Sequence, residues 1–352
     1  MKCICWIAPK KFEIVERPIP KPAKGEALIK VESVGVCGSD IHYYLEGRIG
    51  DQIISPPLVL GHEFAGIVEE VGTKDDEHLL GKRVAVEPGF PCGECEFCKT
   101  GHYNVCPALR FLGGPGCDGA LAEYIAVPAN FCFPVPENIS APIASMVEPT
   151  AVAVHTMELA GVLPGDTVLV VGLGSIGLIV LQLLLNSSPT TFVAGVDLLD
   201  YRVDVAKKLG ATEVFIPPEG SRTEQTEHTI RWAKEITQGR GFDITIDCTN
   251  QSEGLIIACS SAKPAGRVVL VGISGKDYDL IPVSIARRRE LTLKWCRRFL
   301  FNFPTAIELI AKGKINFDFI LTHHFRPDEV SKAFEMVANN SDNIIKASID
   351  WV

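Results

Sequence analysis

Residues 168–177 read VLVVGLGSIG, a hydrophobic strand that runs into a turn containing three glycines. The glycines have G-x-G-x-x-G spacing, and the chain continues with the apolar pattern of a helix. Such glycines allow a tight turn and a close approach of the backbone to a pyrophosphate, which the N-terminus of the helix then holds. The motif alone is weak, but a preceding strand and a following helix are the context that this mechanism requires. The stretch predicts a dinucleotide-binding turn formed by Gly172, Gly174, Ser175, Ile176 and Gly177.

The next predicted strand, TFVAGVD, ends at Asp197, twenty residues after Gly177. A carboxylate at this place can accept hydrogen bonds from the ribose hydroxyls and repel a 2′-phosphate, which favours NAD. The alternative is an aspartate that only caps a helix. Arg202 lies in the same loop and could reach a 2′-phosphate, so NADP stays open. The residues that follow a later strand, RVVLVG, are further candidate cofactor contacts: Val271, Gly272 and Ile273.

The residue composition and the hydrophobic pattern change twice along the chain, which divides it into three segments. Residues 1–150 are dense in Gly and Pro and contain short alternating runs, which predicts an all-β barrel or sandwich. In residues 151–285, apolar strands alternate with helical patterns, which predicts an α/β, doubly wound and mostly parallel sheet. Residues 286–352 have a mixed pattern and are expected to rejoin the first domain.

Composition narrows the class of protein. The 352 residues are 47% hydrophobic and 22% charged, as in ordinary globular enzymes. A formal net charge of −9 argues against a nucleic-acid partner, whose binding surface would be basic. The N-terminal residues lack the pattern of a secretory signal. The longest apolar stretch, TVLVVGLGSIGLIVLQLLL, is interrupted by three glycines and fits a soluble helix better than a membrane span. We therefore expect a cytoplasmic protein without a membrane segment.

Residues 91–107 read PCGECEFCKTGHYNVCP, which places four of the twelve cysteines within fifteen residues. Thiols stay reduced in the cytosol, where such a cluster indicates a metal more often than disulfides. Four thiolates on a short loop form a closed tetrahedral zinc site that orders a segment with no core of its own. The pattern predicts a structural zinc bound by Cys92, Cys95, Cys98 and Cys106.

A second set of metal ligands is predicted from residues at turns or beside glycines. Cys37 lies in GVCGSDIHYY, and His62 and Glu63 lie in LGHEFAG. Glu148 stands at the start of a predicted helix and offers another carboxylate. Catalytic zinc takes three protein ligands and keeps one position open, so a cysteine, a histidine and a carboxylate make a plausible set.

These motifs together resemble the zinc-dependent medium-chain dehydrogenase/reductase family, and within it the sorbitol and related polyol dehydrogenases. The resemblance runs from GVCGSDIHYYLEGRIGD through PLVLGHEFAGIVEEVG and VLVVGLGSIG to LTHHF, close to the whole chain. Asp75 departs from the family pattern, which usually has a small or apolar residue there. The resemblance implies a GroES-like catalytic domain, a Rossmann domain that binds NAD, and a C-terminal segment that returns to the catalytic domain.

The resemblance also implies roles for single residues. Cys37, His62 and Glu63 would bind the catalytic zinc, and Glu148 would reach it through water. Ser39 and His42 resemble the relay that carries the proton away. The residues that resemble the family's substrate contacts are Tyr43, Glu148, Arg298 and Phe299. Phe299 stands where sorbitol dehydrogenases typically have tyrosine, which leaves the individual polyol open.

The implied reaction is hydride transfer between a secondary alcohol of a polyol and NAD, which gives a ketose, with zinc acting as a Lewis acid. Threonine, a sugar phosphate or a simple secondary alcohol remain alternative substrates within the family. A non-catalytic nucleotide-binding protein on the same fold is the alternative from another class. The family further implies a homodimer or homotetramer assembled through the nucleotide domain, with GRVVLVGIS (266–274) as a candidate contact strand.

Overall fold

The computed structural model describes residues 1–187 and 192–351, and the chain divides into two units. The segments of unit 1 are Met1–Ala151, Leu300–Lys312 and the chain from Ile320 onward. The segments of unit 2 are Val152–Phe299 and Gly313–Phe319. Unit 1 therefore receives the chain twice more after its first segment, at Leu300–Lys312 and from Ile320 onward.

Short strands dominate the first part of unit 1. In chain order they are β1 (Lys2–Ala8), β2 (Lys11–Glu16), β3 (Glu26–Gly35), β4 (Arg48–Ile49), β5 (Gln52–Ile53), β6 (Leu58–Val59), β7 (Glu63–Val71), β8 (Arg83–Val86), β9 (Gly89–Phe90), β10 (Arg110–Phe111), β11 (Tyr124–Pro128) and β12 (Cys132–Pro134). The helices of this part are α1 (Gly38–Glu46), α2 (Glu96–Lys99) and α3 (Ala141–Ser145). The next helix, α4 (Val147–Ala160), contains the boundary between the units.

Longer helices alternate with strands in unit 2. Its strands are β13 (Thr167–Val171), β14 (Phe192–Val196), β15 (Glu213–Phe215), β16 (Phe242–Asp247), β17 (Ala262–Leu270) and β18 (Thr292–Trp295). Its helices are α5 (Ser175–Ser187), α6 (Asp200–Leu209), α7 (Arg222–Ile236), α8 (Ser252–Ser261) and α9 (Val283–Arg288). The chain then ends, in unit 1, with α10 (Phe303–Ala311), β19 (Leu321–Phe325), α11 (Val330–Asn339) and β20 (Lys346–Asp350).

The main sheet of unit 1 is organised around β3. This strand pairs antiparallel with β7 on one side and with β11 and β20 on the other, and β8 and β12 continue beyond β7. Side chains such as Ile29 and Phe64 are almost fully buried in the core of this unit. Each contributes roughly 1.5–3 kcal/mol to folding by its removal from water. The β3–β7 register pairs Gly35 with Glu63, which sets the end of one strand beside the start of the other.

The six described strands of unit 2 form one parallel sheet in the order β15-β14-β13-β16-β17-β18. The central strand β16 is buried at every position, because helices cover both faces of such a sheet. The chain order reverses beside β13, between β14 and β16, and ligands of doubly wound sheets bind at the carboxyl ends of the strands at such a point. The glycine turn directly follows β13.

Two expectations about unit 2 need correction. The run GRVVLVGIS is not at the edge of the sheet, because β17 lies between β16 and β18. The unit also extends beyond residue 285, because β18 pairs with β17 and completes the sheet before the chain leaves the unit after Phe299. In the described ranges 1–187 and 192–351, no helix combines the length and the apolar character that a membrane crossing requires.

Candidate active site

Cys37, His62 and Glu63 come together in unit 1. A ligand atom of each lies within 4.8 Å of those of the other two, and His62 and Glu63 are buried. The β3–β7 register causes this convergence, because Cys37 follows the end of β3 and His62 precedes the start of β7. Gly35 leaves the necessary space, since a Cβ at that position would collide with the carboxylate of Glu63. The three donors therefore form one cluster rather than separate core residues.

Asp40 orients two of the donors. Its carboxylate lies 3.3 Å from Nδ1 of His62 and accepts a hydrogen bond of 3.2 Å from the backbone N–H of Cys37. Burial disfavours a charged His62, but the charges of Asp40 and Cys37 outweigh this effect and raise the pKa of the imidazole. A carboxylate that engages one ring nitrogen of a histidine leaves the other nitrogen for a metal. Asp40 was not among the predicted site residues, although its place three residues after Cys37 was a usable signal.

Lys346, at the start of β20, forms an ion pair with the carboxylate of Glu63. Both side chains are buried, with 3% and 2% of their surfaces exposed. Burial disfavours the charged lysine, but the charges of Glu63, Cys37 and Glu148 outweigh it and raise the pKa of Lys346. This lysine escaped prediction because 283 positions separate it from Glu63 and no local motif marks it.

The cluster fits a zinc ion with an open coordination position. One thiolate, one imidazole and one carboxylate are the donor types that catalytic zinc takes from proteins. The surroundings also favour a cation. The negative charge there comes from four side chains, Cys37, Asp40, Glu63 and Glu148, and the positive charge that faces them comes from Lys346. A zinc ion held here would bind Cys37, His62 and Glu63.

The four clustered cysteines fit a second zinc ion. The sulfur–sulfur distances are 3.4 Å for Cys95–Cys98, 3.6 Å for Cys92–Cys106, 3.8 Å for Cys95–Cys106 and 3.9 Å for Cys92–Cys98. A tetrahedral ion with Zn–S bonds of about 2.3 Å requires separations of about 3.8 Å. Backbone N–H groups of Glu94 and Cys95 lower the pKa of Cys92 to about 6, whereas the pKa of Cys98 is raised to about 12, first by desolvation and then by the neighbouring thiols. The four thiols therefore do not ionise equally by themselves, and a dication would favour the thiolate form of all four.

The cysteines lie in a lobe formed by residues 91–109, which is closed at its base by the antiparallel pair β9–β10. The ring of Phe111, in β10, packs against His62 with centroids 5.1 Å apart. Tyr103, between the third and fourth cysteines, is buried, with 7% of its surface exposed. The base of the lobe therefore lies directly against the Cys37–His62–Glu63 cluster.

The predicted relay and substrate residues of unit 1 lie on α1 and α4. The Ser39 hydroxyl donates to the sulfur of Cys37 at 3.2 Å, at the edge of the cluster. His42 and Tyr43 follow at spacings of three and four, which places them on the same face of α1 as Ser39. Glu148 is buried in the first turn of α4, where its charge acts on Lys346.

The glycine turn of unit 2 has the geometry of a phosphate-binding turn. Gly172 has φ +88°, which allows the sharp turn after β13. A Cβ on Gly177 would strike the carbonyl oxygen of Gly172, so helix and turn pack closely there. A Cβ on Gly174 would meet only the Arg202 guanidinium, at 3.9 Å, so the backbone is accessible on that side. Ser175 and Ile176 begin α5 and supply N–H groups at its positive end.

Asp197 lies at the end of β14 and is held rigidly. Its two carboxylate oxygens accept backbone hydrogen bonds from Leu173 at 2.7 Å and from Leu199 at 3.0 Å. Arg202 approaches the same carboxylate at 3.8 Å, and its guanidinium lies 5.7 Å from the centre of the Tyr201 ring. The arrangement presents a fixed negative charge beside the glycine turn and keeps Arg202 close to that charge.

The remaining predicted residues lie near the ends of β17 and β18. Val271–Ile273 follow β17, where the N–H groups of Val271 and Gly272 bind the Asp247 carbonyl at 2.8 and 3.0 Å. Arg298 has an unusual φ of +56° for a residue with a side chain. Phe299 is buried, with 2% of its surface exposed.

Family models match both units of this chain. Residues 23–137 match the alcohol dehydrogenase GroES-like domain, and residues 175–312 match the model described as zinc-binding dehydrogenase. These segments correspond to the β-rich sheet of unit 1 and the parallel sheet of unit 2. The predicted fold class is therefore confirmed.

Relatives match over nearly the full length. Sorbitol dehydrogenase of Bacillus subtilis is 32% identical over 349 residues, 99% of this chain and 97% of the relative. D-xylulose reductase A of Aspergillus oryzae is 35% identical over 343 residues, 97% of this chain and 94% of the relative. The structure of an alcohol dehydrogenase from Escherichia coli in complex with NADH is 31% identical, with a TM-score of 0.88 over 100% of this chain and 99% of that one. The chain thus belongs to the zinc-dependent medium-chain dehydrogenase/reductase family.

Proposed function

We propose that this protein catalyses the reversible oxidation of a secondary alcohol of a polyol by NAD, which yields a ketose, NADH and a proton. The observation that carries the proposal is the convergence of Cys37, His62 and Glu63 in one cluster, a set of three donors that would leave one position of a bound zinc open. The glycine turn after β13, with Asp197 beside it, supplies the matching cofactor site. Both halves of a dehydrogenase are therefore present in one chain.

Zinc bound at this cluster would polarise the alcohol oxygen and lower its pKa. The side chains around the cluster would handle the proton and hold the substrate. Ser39, whose hydroxyl already touches the Cys37 sulfur, would receive the proton, and His42 on the same helix face would pass it to water. Glu148 would hold the water or substrate hydroxyl at the open position, because it is buried in the same charged surroundings as Lys346.

The cofactor in this proposal is NAD rather than NADP. The Asp197 carboxylate is fixed by two backbone N–H groups and would repel a 2′-phosphate, and Arg202 is held near that carboxylate. Asp197→Asn keeps one side-chain oxygen that can accept from a backbone N–H but removes the charge, so the preference for NAD over NADP should fall about tenfold, equivalent to about 1.4 kcal/mol. Asp197→Ala, which also loses the acceptor, should reduce the preference further. The ratio of kcat/KM values for the two cofactors measures this. A wild type that uses NADP equally well would contradict the assignment.

The substrate class comes from the names of the relatives, a sorbitol dehydrogenase and a D-xylulose reductase. We assign Tyr43 and Arg298 to contacts with polyol hydroxyls, with Phe299 as an apolar neighbour. A phenylalanine cannot donate the hydrogen bond that a tyrosine would, so this chain should favour polyols that do not require it.

The test is NADH absorbance with zinc-loaded protein and a panel of sorbitol, xylitol, L-iditol, galactitol, threonine and 2-propanol. We expect turnover of at least one polyol and its loss in Cys37→Ser. Activity confined to threonine or 2-propanol would replace the polyol assignment with another member of the same class. Silence toward every compound, with full zinc content, would favour a non-catalytic protein.

We further propose a homodimer or homotetramer assembled through unit 2. The support is β18, which stands at the end of the described sheet, together with several exposed apolar side chains of the same unit. These side chains are Tyr278, Leu280, Val283 and Trp295. Light scattering during size-exclusion chromatography tests this, and a monomer at micromolar concentration would contradict it.

A cytoplasmic location is supported by the twelve unpaired cysteines, which suit a reducing compartment.

A further inference from the structure

We propose that Tyr103 is a positioning residue for substrate binding, because it anchors the backbone segment that carries Arg298. The inference rests on the proposed function, in which Arg298 contacts the polyol. Tyr103 belongs to the four-cysteine lobe, which the family pattern treats as a structural element. Its hydroxyl and its ring instead contact Phe301, which lies in the segment 298–302.

This segment has a strained backbone. Arg298 and Phe301 have φ values of +56° and +58°, in the left-handed region that residues with bulky side chains rarely adopt. Two such residues within four positions require support from their surroundings, and strain of this kind is typical of functional sites. The Asn302 side chain provides part of the support by accepting the Leu300 N–H at 2.6 Å.

Tyr103 supports the segment in two ways. Its hydroxyl oxygen accepts the N–H of Phe301 at 2.9 Å, and its ring meets the Phe301 ring edge-on with centroids 4.7 Å apart. The Phe301 side chain is otherwise 65% exposed, so little else in the described structure covers it. Phe301 is also the second residue of unit 1 after the chain leaves unit 2, three positions beyond Arg298.

Glu87 is a buried neighbour of the tyrosine. Burial raises the pKa of the Tyr103 hydroxyl, and the charge of the nearby Glu87 carboxylate raises it further. Glu87 is buried, with 3% of its surface exposed, directly before the proline that precedes β9. Tyr103 therefore links the strained segment, through its hydrogen bond with the Phe301 N–H, to the buried surroundings of Glu87 in unit 1.

The test is Tyr103→Phe, which removes the hydroxyl and keeps the ring, with Tyr124→Phe on β11 as the control that removes another hydroxyl from the same unit. Without its acceptor, the Phe301 N–H should exchange with solvent at least about tenfold faster by hydrogen–deuterium exchange. The KM for the polyol should rise about tenfold, with kcat and the KM for NAD within about twofold of wild type.

Hydrogen–deuterium exchange at Phe301, measured without substrate, tests the anchor independently of whether the protein oxidises a polyol. Unchanged exchange at Phe301 would overturn the anchor, and faster exchange with an unchanged polyol KM would overturn its role in substrate binding. Loss of zinc from Tyr103→Phe would show that the hydroxyl is only structural and would also overturn the inference. If the wild type oxidises no polyol but Tyr103→Phe still speeds exchange, the anchor is supported and the proposed function is what fails.

Discussion

Replacing Lys346 by Met tests whether this lysine balances the charge of the metal cluster. The side chain is buried against Glu63, with the charges of Cys37 and Glu148 close by. Removal of one partner from a buried ion pair costs about 3–5 kcal/mol, because the other charge is left uncompensated. In the metal-free protein, we expect Lys346→Met to lower the free energy of unfolding by that amount.

Zinc should reverse much of this loss, because a dication neutralises the same carboxylate. If the zinc-loaded variant is destabilised by about 1–2 kcal/mol from lost packing, the difference of about 2–3 kcal/mol must appear as tighter zinc binding, roughly 30- to 150-fold. Denaturant unfolding with and without a chelator, together with competitive zinc titration, measures both quantities. The matched control is Lys332→Met, whose lysine is 65% exposed and pairs with Glu329 at 3.9 Å. That change should cost less than about 1 kcal/mol in either state. Equal destabilisation of the loaded and metal-free Lys346→Met protein, or weaker zinc binding, would refute the reasoning.

Other predictions concern the remaining carboxylates and the lobe. Burial raises the pKa of Glu87 to about 7, so the folded state holds its proton above the unfolded value of 4.5 and stability falls as pH rises through 7. Relative to wild type, Glu87→Gln should therefore gain about 2 kcal/mol of unfolding free energy between pH 5.5 and 8, and a constant difference across that range would contradict the buried carboxyl. Glu63→Ala should lower zinc occupancy more than Glu148→Ala, with turnover lost in both, and metal analysis in the opposite order would exchange their roles. Cys98→Ser should release one of two zinc ions and lower the unfolding temperature while some turnover survives, because structural zinc contributes on the order of 10 kcal/mol of local folding energy. A wild type with one zinc, and a variant unchanged in metal and stability, would show that the lobe holds no metal.

Local motifs were predictable from the sequence because their geometry is set within a few residues. The four cysteines fall within fifteen positions, and the glycine turn follows its strand without interruption. The convergence of Cys37 with His62 was less direct, since it depends on the register of β3 against β7. There, the resemblance to a family supplied the ligand set that spacing alone left open.

Long-range and topological features could not be predicted in the same way. Lys346 reaches Glu63 only because β20 pairs with β3, a contact that no period in the sequence indicates. The run GRVVLVGIS was interpreted as a contact strand, although four apolar residues in succession are more typical of a strand buried on both faces. In the structure, this run lies inside the sheet. The edge strand is Thr292–Trp295, whose partly polar and mostly exposed residues give a weaker strand pattern.

The ladder of β9 with β10 makes the lobe a modular insertion. Because Phe90 pairs directly with Arg110, the two ends of the insertion lie about 5 Å apart, the span of an ordinary hairpin turn. A short turn could therefore replace residues 91–109 without moving Phe111 away from His62. Such a miniaturised chain would keep its metal cluster and lose Tyr103, so excision would separate what the lobe does for folding from what it does for the segment near Arg298. Lineages that shed the cysteines would need another acceptor for the Phe301 N–H.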